Sequence, residues 1–220
     1  MAFLNFISGI HRSTKRDYLA RVMECDKAEA AEISKRFDKE YFDGDRKHGY
    51  GGYRYDGRWV DFAQKIITHY QLKPGQRVLD IGCGKGFLVH DLIQALPGLE
   101  VHGIDLSTYA IENAMPEIKK FLKVGNATDL PYEDKSFDLV LGINSLHSLQ
   151  LPGLEKAFVE IERVGKRNKF VVMDGYRNER EKVNLMYWQL TCECFFTPKE
   201  WEWIFLKVGY TGDYDLVCFE

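Results

Sequence analysis

Apolar residues in the middle of the chain alternate between short continuous runs and helically spaced positions. The continuous runs, which are typical of buried strands, occupy residues 78–81, 100–105, 136–143 and 169–174. Helically spaced stretches lie before and between them, as at residues 60–70 and 87–96. This alternation, from residue 77 to residue 174, predicts an α/β fold with a doubly wound, mostly parallel sheet, right-handed crossovers and helices on both faces.

The two ends of the chain have other patterns. Residues 13–40 are rich in helix formers, whereas residues 43–59 combine five glycines with aromatic and cationic side chains, which is typical of a loop. We therefore interpret residues 1–59 as an N-terminal helical segment with a mobile lid, whose first ten residues form a docking helix. Residues 60–220 form the main domain, with a helical insertion at 176–197. The expected C-terminal elements are helices at 179–191 and 197–207 and a last strand at 213–220.

Composition and charge exclude several classes of protein. The chain has 220 residues, 45% apolar and 29% charged, which suffices for one full core, and its net charge of −3 argues against a nucleic-acid partner. No apolar run approaches the ~18–20 residues that cross a bilayer. The first residues also lack the basic start of a signal peptide, so no membrane partner is expected. Five cysteines without a disulfide framework predict a cytoplasmic location, and six scattered histidines predict no metal.

The most informative stretch is a glycine loop between a strand and a helix. Residues 78–86 read Val-Leu-Asp-Ile-Gly-Cys-Gly-Lys-Gly. The glycines allow a sharp turn and a close approach of a ligand, towards which the next helix points its free N–H groups. A dinucleotide site has the spacing Gly-x-Gly-x-x-Gly, whereas Phe87 stands here and Asp80 would repel a diphosphate. A carboxylate at position 80 instead favours a ligand with a positively charged end.

A second acid completes the expected ligand. Residues 100–105 read as a strand that ends at Asp105, where a carboxylate can accept both hydroxyls of a ribose. An amino-acid end at Asp80 and a ribose at Asp105 together describe S-adenosylmethionine (SAM), with S-adenosylhomocysteine as the product. A nicotinamide-dependent oxidoreductase is the alternative enzyme class, and the absent third dinucleotide glycine argues against it.

With these motifs the chain resembles the class I SAM-dependent methyltransferases. Residues 124–131 resemble the family's adenine-binding motif, residues 136–147 its fourth strand and loop, and residues 169–174 its fifth strand. The resemblance implies a seven-stranded Rossmann-like sheet, shortened to six strands if only one strand follows the last helix. The cofactor contacts that we assign on this basis are Asp80, Gly82, Cys83, Gly84, Gly86, Asp105, Leu106, Asn126, Ala127, Thr128, Asn144, Tyr55 and Arg58.

The N-terminal loop is the expected lid over this cofactor. Its aromatic rings, Trp59 among them, can face the sulfonium, and its cations can meet an anionic acceptor or the methionine carboxylate. The substrate contacts assigned here and after the fifth strand are Tyr50, Tyr53, Arg54, Tyr176 and Arg177. The competing interpretation is that these rings pack the lobe while the cations stay solvated.

His147 is the candidate general base, because it follows the fourth strand and its pKa can lie near neutrality. The competing interpretations are a helix cap or a backbone hydrogen bond, and Asp174 is the second candidate base. We expect an enzyme that methylates a small phosphorylated, nucleotide-linked or carboxylated acceptor at oxygen. The resemblance implies surface-polysaccharide or secondary-metabolite pathways. The alternative is a non-catalytic SAM-binding sensor or scaffold, and the oligomeric state is open.

Overall fold

The computed structural model describes residues 1–220 and contains one sheet of six parallel strands. The strands are β1 (Arg77–Ile81), β2 (Glu100–Asp105), β3 (Leu122–Val124), β4 (Phe137–Ile143), β5 (Gly165–Gly175) and β6 (Asp213–Cys218), in the order β3-β2-β1-β4-β5-β6. The four continuous apolar runs form β1, β2, β4 and β5 because both faces of the sheet are covered. The predicted α/β fold is confirmed in its six-stranded form.

Helices cover both faces of this sheet. They are α1 (Ser8–Ser13), α2 (Tyr18–Met23), α3 (Lys27–Ser34), α4 (Lys39–Phe42), α5 (Val60–Tyr70), α6 (Phe87–Ala95), α7 (Thr108–Glu112), α8 (Leu151–Val164), α9 (Glu179–Trp188) and α10 (Pro198–Val208). Phe62 of α5 shares one buried cluster with Val78, while Phe158 of α8 and Trp201 of α10 share the other with Leu79. Successive residues of β1 thus serve opposite faces. None of these helices has the length and apolarity that a membrane span requires.

The β6 edge differs from the family pattern described above. One strand pairs there with β5 in parallel, and the first residues of the chain lie along its outer side. The N–H of Leu4 donates to the carbonyl of Tyr214 at 2.8 Å, and the N–H of Tyr214 donates to Ala2 at 3.0 Å. The helix expected over the first ten residues therefore begins only at Ser8, because the preceding backbone covers hydrogen-bonding groups of an edge strand.

The insertion also ends differently from the prediction. Helix α9 stops at Trp188, and Gln189 is extended. The chain then turns back, so that the N–H groups of Glu193 and Cys194 both donate to the carbonyl of His147 at 2.9 Å. These contacts replace the last turn expected for the helix and tie the insertion to the loop after β4.

Candidate functional site

The carboxyl ends of β1, β2 and β4 surround a cavity of about 240 Å³, which we call the cofactor cavity. The chain proceeds from β1 to β2 on one side and places β4 on the other, and ligands of open α/β sheets bind at such a reversal of strand order. The predicted cofactor contacts that line it are Asp80, Gly82, Cys83, Gly84, Asp105, Leu106, Asn126, Ala127 and Asn144.

The glycine loop after β1 lies directly against the loop after β4. Gly82 has a φ of +75° and Gly84 a φ of +55°, in the left-handed region that glycine enters without a steric penalty. A Cβ on Gly82 would lie 2.1 Å from the Cβ of Ser145, whose hydroxyl donates to the carbonyl of Ile81 at 2.7 Å. The main chain has no room for a side chain here, and it lines the cavity itself.

Asp105, at the end of β2, is oriented by two backbone groups. The N–H of Gly84 donates to its Oδ2 at 2.7 Å, and the N–H of Ser107 donates to its Oδ1 at 2.8 Å. Burial raises the pKa of this carboxyl, and the two hydrogen bonds lower it. Since each carboxylate oxygen accepts more than one hydrogen bond, Asp105 retains acceptor capacity for the hydroxyls of a ligand.

Asp80 is the second acid of the cofactor cavity and is only 2% exposed. Burial, together with the nearby charge of Asp105, raises the pKa of Asp80 to about 7. A cationic group beside a buried carboxyl favours its charged form. The cavity therefore offers a place for a positively charged group next to Asp80.

Two predicted cofactor contacts close to this cavity do not line it. Asn126 faces the cavity and its Oδ1 accepts the N–H of Thr128 at 3.0 Å, so Thr128 serves to close a local turn. Gly86 lies beneath Ile118 and Leu122, where a Cβ would come within 2.6 Å of the Ile118 Cδ1. Its contribution is to let α6 begin close to the sheet.

The N-terminal loop covers the cofactor cavity through two tyrosines. The ring of Tyr53 stacks on Phe87 at 4.8 Å between centroids, and the ring of Tyr50 lies 4.3 Å from that of Tyr53. The buried Lys85 donates to Asp43 Oδ2 at 2.6 Å and to the carbonyl of Tyr53 at 3.0 Å. The lid is thus latched to the glycine loop by a lysine that lies within that loop.

A second cavity of about 310 Å³ adjoins the first, and we call it the arginine cavity. The residues that line both cavities are Tyr41, Tyr50, Tyr53, Trp59 and Asn144. The wall of the second cavity carries five arginines, Arg16, Arg21, Arg46, Arg54 and Arg58. Asp174 supplies the one carboxylate of this lining, and Arg58 is ion-paired with Asp56 at 2.6 Å. An excess of guanidinium groups fits an anionic ligand.

Besides Gly86 and Thr128, three further predicted contacts line neither cavity. The hydroxyl of Tyr55 donates to the buried Asp91 of α6 at 2.6 Å. Arg177 is ion-paired with Glu181 at 2.5 Å, and its neighbour Tyr176 lies outside both linings. In each case a nearby buried carboxylate, Asp91 or Glu181, holds the side chain or its neighbour away from the cavities. Arg58, expected at the cofactor, lies in the arginine cavity instead.

His147 and Asp174 lie together on the wall of the arginine cavity. Both are buried, and Nε2 of His147 is 3.7 Å from Oδ2 of Asp174, which also accepts a hydrogen bond from Gln189. Burial raises the pKa of Asp174, whereas His147 and the Gln189 hydrogen bond lower it. Nδ1 of His147 has no hydrogen-bond partner. Burial closes Nδ1 to solvent, whereas Nε2 faces Asp174.

Cys192 adds a sulfur atom to this pair, so that one nitrogen, one oxygen and one sulfur lie within 4.8 Å of one another. The sequence predicts no metal, and this stays a prediction. The amide of Gln189 donates to the same Asp174 oxygen that faces His147. A donor group directed at this oxygen competes with a cation for its lone pairs.

Sequence reasoning missed Arg16, Arg21 and Lys85. The two arginines belong to a helix-forming stretch in which no glycine or motif marks them. Lys85 had a signal, since it stands between two glycines of the most informative loop. We assigned its neighbours and not the lysine, because a lysine in that loop has no evident role until Asp43 is seen beside it.

The chain is similar to known proteins in sequence and in fold. A family model described as methyltransferase domain matches residues 72–209. The chain is 32% identical over 178 residues to sterol methyltransferase-like 3 of Botryococcus braunii, covering 70% of this chain and 44% of that protein. It is 26% identical over 166 residues to demethylmenaquinone methyltransferase of Symbiobacterium thermophilum, with 70% and 62% covered. The fold is shared with the YcgJ protein of Bacillus subtilis, at a TM-score of 0.55, 21% identity and 66% of each chain covered. The chain spans less than two thirds of the length of these curated relatives.

Proposed function

Because the chain belongs to the class I SAM-dependent methyltransferases, we propose that it transfers a methyl group from SAM to an oxygen atom of a small anionic acceptor. The observation that carries this proposal is the junction of two cavities of opposite character. One holds two carboxylates at the ends of neighbouring strands, and the other is lined by arginines. A cationic donor suits the first and an anionic acceptor suits the second, with Tyr50, Tyr53 and Asn144 at their shared wall.

The residues of the cofactor cavity fit SAM in a single orientation. Asp80 would hold the amino group, Asp105 the ribose hydroxyls, and Leu106 with Asn126 the adenine. When bound, the sulfonium supplies a methyl carbon that is already activated for displacement. The rings of Tyr50 and Tyr53 exclude water and offer the sulfonium a cation–π contact of about 0.5–2 kcal/mol.

The anionic acceptor is the finer part of the proposal, and the arginine cavity supports it. Two curated relatives are named for sterol and demethylmenaquinone methylation, and such acceptors are largely apolar. An apolar acceptor would remove water from several guanidinium groups without replacing their hydrogen bonds, which is unfavourable. Carbon methylation of an apolar acceptor is the second candidate function, and the names of the relatives favour it.

His147 is the proposed general base. As the acceptor oxygen attacks the methyl carbon, its proton passes to the imidazole of His147, and the electron pair of the carbon–sulfur bond goes to the departing sulfur. Asp174, 3.7 Å from Nε2, would stabilise the imidazolium that forms. A nitrogen acceptor would lose its proton to the same base.

We also propose a cytoplasmic location and a role in surface-polysaccharide or secondary-metabolite pathways. All five cysteines are free thiols, which supports a reducing compartment. The pathway is supported only by the expected anionic character of the acceptor. A non-catalytic sensor or scaffold that binds SAM is the alternative to catalysis.

Calorimetry tests the cofactor assignment. SAM should bind and NAD should not, and Asp105→Ala should lower the affinity for SAM about 100-fold, because a hydrogen bond to a charged group contributes about 1.5–3 kcal/mol. Glu133→Ala, which changes an exposed acid outside both cavities, is the matched control and should bind like the wild type. Binding of NAD in place of SAM would overturn the proposal.

A donor-consumption assay over phosphorylated, nucleotide-linked, carboxylated and apolar acceptors tests catalysis. His147→Ala should lower kcat by about 10²–10⁴ with an unchanged affinity for SAM, since a general base contributes on that scale. His69→Ala, an exposed histidine on α5, should leave kcat unchanged. Wild-type turnover by His147→Ala would remove it as the base, and SAM binding without consumption over the whole panel would favour the sensor.

A further inference from the structure

Three arginines meet around one tryptophan in the arginine cavity. The guanidinium carbons of Arg16, Arg21 and Arg46 lie 5.3, 5.6 and 5.2 Å from the ring centroid of Trp188. The arginines come from the N-terminal segment and the tryptophan from the end of α9, so the cluster exists only when that segment is docked. None of the three forms an ion pair; the arginines that do are Arg12, Arg58, Arg77, Arg163 and Arg177.

Backbone carbonyls hold one edge of each of these guanidinium groups. Nη1 of Arg16 donates to His11 at 2.9 Å, Nη1 of Arg21 donates to Arg46 at 2.6 Å, and Nη1 of Arg46 donates to Gly49. The Nε groups of Arg16 and Arg21 are buried and have no partner, and Arg21 is only 9% exposed. Arg16 also donates from Nη1 to the carbonyl of Thr14 and contacts Nδ1 of His11 through Nη2, both at 3.1 Å, so its fork is largely used. Nη2 of Arg21 and Nη2 of Arg46 have no hydrogen-bond partner within the protein.

The positive charges of this cluster are balanced only in part, since Asp174 raises the pKa of Arg16, and Glu24 and Asp45 raise that of Arg21. Burial lowers the pKa of Arg16 and of Arg21, and the charge of Arg46 lowers both further. His11, which contacts Arg16, is uncharged near neutral pH because burial and the charge of Arg16 lower its pKa to about 4. A buried donor without a partner costs about 1–3 kcal/mol. The buried Nε groups are closed to a ligand, but a bound anion would accept from Nη2 of Arg21 and of Arg46 and would balance the remaining charge.

We propose that Arg16, Arg21 and Arg46 form a subsite for a phosphoryl group of the acceptor, a proposal that rests on the proposed methyl transfer. A phosphate monoester carries a charge of about −1.5 to −2 at neutral pH and three acceptor oxygens, whereas a carboxylate carries one charge and two oxygens. Guanidinium forks bind phosphate oxygens in pairs. Three forks without a carboxylate partner therefore match a phosphoryl group.

The subsite would also orient the acceptor for reaction. His147 lines the same cavity, and Asn144 lines both this cavity and the cofactor cavity. An acceptor held by its phosphoryl group at the arginines extends along the wall that carries His147. Its hydroxyl then lies between the base and the methyl donor, and fixing this geometry is a large part of what an enzyme contributes to a displacement.

Inorganic probes test the subsite without the acceptor. The protein, alone and loaded with S-adenosylhomocysteine, is titrated in a calorimeter with phosphate, pyrophosphate and succinate at matched ionic strength, because salt screens such contacts. We expect phosphate or pyrophosphate to bind at least tenfold more tightly than succinate. Arg46→Ala should weaken phosphate and pyrophosphate binding at least tenfold. Arg12→Ala, an exposed arginine outside this cavity, should leave it unchanged.

A second variant guards against loss of folding. Arg21→Lys keeps the positive charge but loses the fork, and it should weaken phosphate binding severalfold while Tm and the affinity for S-adenosylhomocysteine stay near wild type. The proposal is overturned if succinate binds as well as both phosphates, or if Arg46→Ala binds them like the wild type. Anion binding that persists in a protein unable to bind SAM would instead overturn the proposed function.

Discussion

The cofactor cavity and the arginine cavity lie side by side, but they are built from different materials. The cofactor cavity is lined largely by main chain and by side chains at the ends of adjacent strands, with Asp80 and Asp105 as its charges. The arginine cavity collects side chains from the N-terminal segment, the loop after β4 and the end of α9. Parallel pairing of β1 with β2, in which Asp80 lies opposite Gly103, sets the separation of the two acids. The three arginines around Trp188 are instead held by separate side-chain hydrogen bonds to carbonyls of the N-terminal segment.

This difference separates the part of the site that depends on the sheet from the part that depends on docking. The N-terminal segment is held to the insertion by contacts such as that of Lys27, whose Nζ donates to the carbonyl of Gln189 at 2.6 Å. A change near Arg16 or Arg21 can therefore alter what the arginine cavity accepts while the positions of Asp80 and Asp105 are kept by the sheet. The lid tyrosines Tyr50 and Tyr53 line both cavities and couple the two.

Two glycines with the same backbone conformation test this contrast most strongly. Gly82 has φ +75° and Gly57, in the lid, has φ +74°, but a Cβ on Gly82 would meet Ser145 at 2.1 Å and a Cβ on Gly57 would meet nothing within 4 Å. Gly57→Ala should cost about 1–2 kcal/mol of unfolding free energy, from the left-handed conformation alone. Gly82→Ala should cost roughly 2–5 kcal/mol, because overpacking is added, and should abolish SAM binding.

Urea unfolding and calorimetry with SAM measure both effects on the two glycine variants. Equal losses of unfolding free energy would show that the conformation matters and the close approach to Ser145 does not. Retained SAM binding in a folded Gly82→Ala protein would contradict the role given to the bare main chain of the cofactor cavity.

The pH dependence of SAM binding tests the role of Asp80 in the cofactor cavity. With a pKa of about 7, Asp80 is mostly neutral at pH 5.5 in the free protein and about half ionised at pH 7. The affinity for SAM should therefore rise roughly tenfold between pH 5.5 and 7, below the range in which an α-amino group deprotonates. Asp80→Asn should bind SAM weakly at every pH, with no such rise. Calorimetry at several pH values measures this, and a rise that persists in Asp80→Asn would show that another group causes it.

The raised pKa of Asp80 should also make the free energy of unfolding of the ligand-free protein depend on pH. This pKa is raised by folding, so between about pH 4 and pH 7 the folded state holds a proton that the unfolded state has lost. The stability due to Asp80 is therefore present at low pH and lost as the pH rises through this window, by at most about 1.4 kcal/mol per unit. Asp80→Asn should unfold at higher urea than the wild type at pH 7.5 and at similar urea near pH 4.

Breaking the ion pair between Asp43 and Lys85, which latches the lid, should have the smallest effect on SAM binding. The side chain of Asp43 is 25% exposed and pairs at 2.6 Å with Lys85, which is 8% exposed. Asp56 of the same loop is 47% exposed and pairs with the exposed Arg58. Asp43→Asn should lower the affinity for SAM severalfold, because a half-buried pair is screened less than a surface pair. Asp56→Asn is the matched control and should bind like the wild type. Equal effects in calorimetry would mean that the latch does not hold the lid.

Particular residues show where prediction from sequence succeeded and where it did not. The helix expected at 60–70 forms as α5, and the helix expected at 197–207 forms as α10, because Thr197 makes a capping box with Glu200 just before Pro198. The placement of Asp80 and Asp105 in one cavity also followed from sequence, since both acids end parallel strands. Tyr55 and Arg177 were indistinguishable from cavity residues by type and position, and in the structure they pair with buried carboxylates outside both cavities.

The amino-acid sequence by itself determined the strand–loop–helix unit, the parallel sheet and the family. These features depend on apolar periodicity and on glycine conformation. Both act over a few neighbouring residues, so they are visible as patterns in the amino-acid sequence. Tertiary structure alone decided that Arg16, Arg21 and Arg46 surround Trp188, that Lys85 meets Asp43, and that the first residues extend the β6 edge. Such contacts join residues that are distant in the chain, and a one-dimensional pattern records the charge of a side chain without recording what it faces.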